Sequence, residues 1–222
     1  MARIVFDLDG TLVESAPSLT AAANALLAEL GRAPLEVATA RGFVGHGVKV
    51  LVERVLDHTG GVPGGESGPH LDRFRAIYNA DPVTGTVAFP GVAAALAALA
   101  ADGHGLGVCT QKPNLPSVAI LRGLGLMPPI AALTDGDSLD VMKPDPRMLT
   151  HAAAQLPEGP MIFVGDSEVD AATAEAAGVP FLLHTAGYCG RPHASLRQAG
   201  AFADFAKLPG LVARLFGATA PA

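Results

Sequence analysis

Positive charge is scarce in this chain and nowhere concentrated. Fifteen Lys and Arg stand against 21 Asp and Glu, a formal net charge of −6 over 222 residues. A nucleic-acid-binding face needs basic residues gathered together; here no Lys/Arg cluster exceeds two adjacent positions, so nucleic acid is not an expected partner. Long hydrophobic runs are missing as well. The longest, Val92 to Ala101, is alanine-rich and too short to cross a bilayer. Asp7 and Asp9 interrupt the first apolar segment before it can form a signal-peptide core. A cytoplasmic protein without membrane attachment is therefore expected. Cys109 and Cys189 lie far apart and form neither a metal motif nor a redox pair. Both are expected to be small buried hydrophobes in a reducing compartment. The seven histidines show no metal-ligand spacing.

Hydrophobic residues, by contrast, make up half of the chain. That is enough for one large domain, or for one domain carrying an insert. Short apolar runs at 3–7, 105–110, 130–134, 161–165 and 180–184 read as strands. They alternate with helical patterns near 91–101, 114–124, 145–156 and 168–177. Such alternation predicts an α/β fold, a Rossmann-like three-layer core with a parallel sheet of five to six strands. Residues 1–14 and 83–222 would form it. Between them, 15–82 carries a different pattern. Leu19, Ala22, Ala23, Leu26, Leu27 and Leu30 share one helical stripe, and Val48, Leu51, Val52, Val55 and Leu56 another. The two stripes need a partner, and an inserted helical domain in which they bury each other is the simplest answer. Ser15–Pro17 and Asp81–Gly85 would be its hinges, Gly60–Gly65 a flexible loop, and the Ala218–Ala222 tail frayed.

Chemistry-bearing residues gather where the strands end. Asp7-Leu8-Asp9-Gly10-Thr11 closes the first apolar run and puts two carboxylates two residues apart, on one side of an extended chain. Two such charges repel unless a cation or a proton is shared. A solvated acidic turn would look the same in isolation. The run Leu106–Cys109 ends in Thr110, Gln111, Lys112 and Pro113, while Val141-Met142-Lys143-Pro144 sets a lysine before a helical pattern. Met161–Val164 ends in Gly165-Asp166-Ser167-Glu168-Val169-Asp170. Taken singly, Thr110 reads as a turn residue, Lys143 as a solvated lysine and Asp166 as a helix N-cap. Glu168 and Asp170 would suit a helix's first turn whatever their chemistry. The Gly103-x-Gly105-x-Gly107 run precedes its strand instead of following one, which rules out a dinucleotide fingerprint.

In this order, and over nearly the whole chain, the four segments resemble the four motifs of the haloacid dehalogenase superfamily. Most of its members are Mg²⁺-dependent phosphohydrolases with a helical cap inserted after the first motif. The resemblance implies Asp7 as nucleophile and Asp9 as general acid and base, with Thr110 and Lys143 completing the catalytic set. Mg²⁺ would be held by the side chains of Asp7 and Asp166 and by the Asp9 carbonyl, with Ser167 and Asp170 just behind them. Gly10, Thr110, Gln111 and Lys143 would receive the phosphate. An acid at position 9 also favours phosphoryl transfer, because dehalogenases of the superfamily lack one there. The implied strand order, fifth-fourth-first-second-third, would set Asp7 beside Asp166.

Specificity is expected from the cap. Arg41–Arg54, Phe89–Val92 and Gly165–Pro180 resemble the matching segments of bacterial phosphoglycolate phosphatases. That points to a small phosphorylated carboxylic acid, 2-phosphoglycolate first, with Arg41 or Lys49 meeting its carboxylate and His46 lining the site. Solvated helix charges would account for Arg41 and Lys49 equally. Glu14 stands where the family usually has aspartate, and Gln111 where it has asparagine. A phosphosugar phosphatase, a pyrophosphatase and a sugar-phosphate mutase share the pattern, and a non-catalytic binding protein on the same fold stays open. Both monomer and homodimer fit the sequence.

Overall fold

The computed structural model describes residues 1–216; the tail expected to fray lies outside the described residues. Along the chain, β1 (Arg3–Phe6) is followed by β2 (Val13–Glu14), α1 (Ala16–Glu29), α2 (Val37–Arg41), α3 (Val48–His58) and α4 (Gly68–Ala80). β3 (Val87–Ala88) leads into α5 (Val92–Ala101), β4 (Gly105–Cys109), α6 (Asn114–Gly123) and β5 (Ala132–Thr134). After these come α7 (Pro146–Ala154), β6 (Met161–Gly165), α8 (Glu168–Ala177), β7 (Phe181–His184), β8 (Gly200–Phe202) and α9 (Leu208–Phe216).

Six strands form one sheet in the order β5-β4-β1-β6-β7-β8, every pair parallel. It is thus an α/β, Rossmann-like sheet with the strand order anticipated above, extended at one edge by β8. That strand was not foreseen, since Gly-Ala-Phe is too short for a periodic signal. Alternation along β1 explains the three layers. Ile4 and Phe6 enter an apolar cluster with Leu96, Leu99, Ile120 and Phe205, whereas Val5 joins Phe163, Met148 and Leu149 on the opposite face. The chain leaves β1 toward β4 on one side and β6 on the other, which makes its carboxyl end a switch point of the kind where open α/β sheets bind ligands.

α1 to α4 bury a separate cluster. Leu26 and Leu27 from α1 share that cluster with Leu51, Val55 and Leu56 from α3, and α4 packs against both helices. α4 adds Phe74 and Tyr78, its only buried residues, too few to announce the helix in advance. Where the insert joins the sheet domain, β2 and β3 pair antiparallel, Val13 with Ala88 and Glu14 with Val87. This short ribbon holds both connections together. The glycine-rich loop contains a turn of 3₁₀ helix at Pro63–Gly65.

Cys109 is buried, and burial pushes its thiol up to about 12. Cys189 departs from expectation: it lies in the loop after β7 and is only half-buried. No described helix is long and apolar enough to cross a membrane. Leu27 is fully buried in the insert, so Leu27→Ala is expected to cost about 2–5 kcal/mol by losing contacts and leaving a cavity. Urea denaturation checks this; an unchanged midpoint would mean that the helical cluster contributes no stability.

Candidate active site

Register brings the motif residues to one level. Phe6 is paired with Val108 on one side and Val164 on the other, so Asp7, Thr110 and Asp166 all lie one or two residues past those partners. Asp7, Asp166 and Asp170 each offer an oxygen within 4.8 Å of the others'. Lys143 Nζ reaches across from the loop before α7, 3.0 Å from Asp7 Oδ1 and 2.6 Å from Asp170 Oδ1. One ammonium group therefore bridges two of three clustered, buried carboxylates.

That imbalance shows in proton affinity. Burial, reinforced by Asp170, pushes Asp7 up to about 7 even though Lys143 pulls it down. Asp166 is raised well above the usual carboxylate range, again by burial first and then by Asp170 and Asp7. Burial works to lower Lys143, yet Asp170 and Asp7 hold it above its ordinary value. A hard divalent cation would supply the missing positive charge, and the donors are of the right kind, since they are all carboxylate oxygens. The residues fit such an ion.

Glycines and caps shape the cluster. A Cβ on Gly10, at φ +85°, or on Gly187 would collide with the Asp166 carboxylate. Asp166 also accepts hydrogen bonds from Thr11 Oγ1 and Tyr188 N, both at 2.7 Å. Ser167 caps α8 in a reciprocal box with Asp170, and its hydroxyl donates to Asp170 Oδ2 at 2.6 Å. Asp170, expected just behind the metal ligands, thus belongs to the carboxylate cluster itself. The Asp9 side chain turns elsewhere. It accepts from Ser15 Oγ at 2.5 Å and from Lys112 Nζ at 3.0 and 3.2 Å. The Leu8 amide donates to Asp7 Oδ1 at 2.7 Å.

A cavity with an empty volume of about 490 Å³, open mouth included, adjoins these groups. Asp7, Asp9, Thr110, Gln111, Lys112 and Lys143 line it from the sheet domain; Leu19, Val44, Val48 and Leu51 face them from the insert. Gln111 Nε2 spans the two, donating to Gly45 O at 2.7 Å. His46 is exposed and borders a neighbouring cavity that also reaches Asp7 and Asp166. Arg41 and Lys49, expected to meet a substrate carboxylate, line neither. Arg41 donates to Ala186 O at 2.7 Å, sits 3.5 Å from Glu14 and covers the Tyr188 ring. Lys49 is exposed on α3 with its nearest acid, Glu53, one turn away at 3.9 Å.

Two residues of the site had no assigned role in the sequence reading. Lys112 could have been found, because it lies two positions past Thr110 at a strand end. Tyr188 could not: its loop carries no pattern. Its hydroxyl donates to Glu14 Oε1 at 2.6 Å and accepts from the amides of Ser15 and Ala16 at 2.9 and 3.2 Å. Tyr188 thereby ties a metal-site loop to the start of the helical insert.

A switch-point cluster of carboxylates, a buried lysine and a strand-end hydroxyl defines a hydrolase site of the kind that works on an anionic substrate with a divalent ion. The chain belongs to the haloacid dehalogenase-like hydrolase family, whose model matches residues 1–178. It is 49% identical to a phosphoglycolate phosphatase of Cereibacter sphaeroides, across 97% of this chain and 99% of that one. A phosphoglycolate phosphatase of Rhodospirillum rubrum is 44% identical, covering 92% and 88%. Among solved structures, a predicted phosphoglycolate phosphatase from Haemophilus somnus superposes with a TM-score of 0.84 at 28% identity, over 95% of this chain and 97% of that one.

Divalent cation at about a hundred times its dissociation constant should stabilise the fold by about 2.7 kcal/mol, a melting rise of several degrees that a chelator reverses. Asp166→Asn is expected to abolish that rise, read by thermal melting with and without the ion; an equal rise in the variant would place the ion elsewhere. Tyr188→Phe should lower stability by about 1–3 kcal/mol through its lost hydrogen bonds, measured by urea denaturation.

Proposed function

We propose that this chain hydrolyses the phosphate ester of a small carboxylic acid, 2-phosphoglycolate first, to the free alcohol and phosphate, with Mg²⁺ as its ion. Residues 1–14 and 83–222 act as the catalytic core and 15–82 as a cap over it. The observation that carries the reading is the meeting of Asp7, Lys143 and Asp166 at one strand-end level. The names of the similar proteins supply the substrate.

A phosphate monoester is a dianion, and an attacking carboxylate brings a further negative charge. At 4 Å and an effective dielectric near 20, each pair of unit charges repels by about 4 kcal/mol. Lys143 offsets part of this. Mg²⁺, held by Asp7, Asp166 and the Asp9 carbonyl with Asp170 and Ser167 behind, supplies the remaining charge neutralisation when bound. Asp7 attacks phosphorus, the bond to the leaving oxygen breaks, and an aspartyl-phosphate forms. Asp9 gives its proton to the departing alkoxide. It then takes one from the water that releases phosphate and restores Asp7. Thr110 and the Gly10 turn hold the phosphate oxygens. Gln111 from the sheet domain and His46 from the insert border the substrate.

Asp7→Asn removes the attacking oxygen and one negative charge. Phosphate release from 2-phosphoglycolate in Mg²⁺ should fall by at least about a thousand-fold, while the melting temperature holds or rises through relief of like-charge repulsion. Substantial residual turnover would contradict the nucleophile assignment. A panel of sugar phosphates and pyrophosphate, assayed alongside, tests the substrate; faster release from any of them would displace 2-phosphoglycolate.

A further inference from the structure

We propose that Lys112 reads the carboxylate of the substrate, so that the site selects phosphate esters whose alcohol part carries a second anionic group. This rests on the preceding reading and names the residue that gives it specificity. Lys112 and Lys143 are the cationic residues among those described as lining the cavity. Lys143 is already shared between Asp7 and Asp170, on the side where phosphate must sit. A ligand with two charged ends needs a second cation, and Lys112 is the one in place.

Its surroundings are arranged for that task. Lys112 is buried, its ammonium group lies 4.8 Å from the centre of the Tyr78 ring, and its bonds among the described residues go to the two oxygens of Asp9. An ammonium group carries three N–H donors, and Asp9 takes at most two of them. The side chain is held before the ligand arrives, which reduces the ordering that binding requires. Beside it, the Tyr78 hydroxyl is buried without a hydrogen-bond partner. The opposite wall is Leu19, Val44, Val48 and Leu51. A carboxylate lodged against those side chains loses its water and must find a cation or be rejected. Arg54 borders only the neighbouring cavity and is the competing candidate.

The test compares 2-phosphoglycolate with 2-hydroxyethyl phosphate, which has the same chain length and an alcohol in place of the carboxylate. In the wild type, kcat/KM should favour 2-phosphoglycolate by about 10- to 100-fold, the range of a charge-assisted hydrogen bond. Lys112→Met should reduce that ratio to near one, chiefly through a higher KM for 2-phosphoglycolate, and Lys112→Arg should restore much of it. Should Lys112→Met fail to fold, Lys112→Gln is read in the same way. Equal losses on both esters would mean that Lys112 acts only through Asp9 or through folding, and would overturn the inference. So would a ratio that survives in Lys112→Met, or one that collapses in Arg54→Met instead. A wild type that hydrolyses other esters but not 2-phosphoglycolate overturns the substrate reading itself, and this inference with it.

Discussion

Three buried carboxylates, two of them paired with one lysine, are the constraint on which the rest of the molecule depends. Asp7, Asp166 and Asp170 come from two neighbouring strand ends and the first turn of α8, and Lys143 enters among them. Water would ordinarily stabilise such a group of charges, and the sheet domain excludes it. The raised proton affinity of Asp7 and Asp166 records the deficit. A divalent ion and an anionic substrate are the species that such a deficit invites together: Asp7, Asp166 and Asp170 would hold the ion, and it would supply the missing positive charge.

The scaffold around the cluster serves to hold it open and close-fitting at once. Gly10 and Gly187 have no side chain because the Asp166 carboxylate occupies that space. Burial lowers the proton affinity of His184, and its Nδ1 pairs with the Gly10 carbonyl at 2.9 Å inside a cage of Phe89, Phe202 and Phe205. Polar links then join the sheet domain to the helices above it, among them Gln111 to Gly45, Arg41 to Ala186, and Tyr188 to the amides that begin α1. Each crosses a boundary that the apolar clusters do not. The insert keeps its own core, is tied to the sheet domain by polar contacts such as these, and faces the site with Leu19, Val44, Val48 and Leu51. Segments joined in this way can move relative to one another at small cost in buried apolar surface.

Legibility followed the range of the interactions. The periodic strands and helices of the sheet domain were readable because alternation and helical spacing are local. α8 was predicted at 168–177 and found there, with Ser167 capping it. β8, β2 and β3 were not readable, since two or three residues show no period and pair only because a neighbouring strand offers an edge. Asp7, Lys143 and Asp166 stood out through their order along the chain. Arg41 and Lys49 were plausible for chemical reasons, yet helix rotation decides where such side chains point. Arg41 faces the Tyr188 loop and Lys49 faces water. Lys112 lay in plain view beside Thr110, but its partners Asp9 and Tyr78 are distant in sequence.

By itself, then, the amino-acid order determined the class of fold, the carboxylates and lysine available for chemistry, and the helical character of the stretch between the first strand and the rest. Each of these follows from spacing within a few residues or from composition. Tertiary structure alone decided that Asp170 joins Asp7 and Asp166, that Asp9 is held by Lys112 and Ser15, and that a tyrosine from a patternless loop ties the insert to the site. Those outcomes depend on strand register and on which faces of distant helices meet, and no local pattern along the chain encodes them.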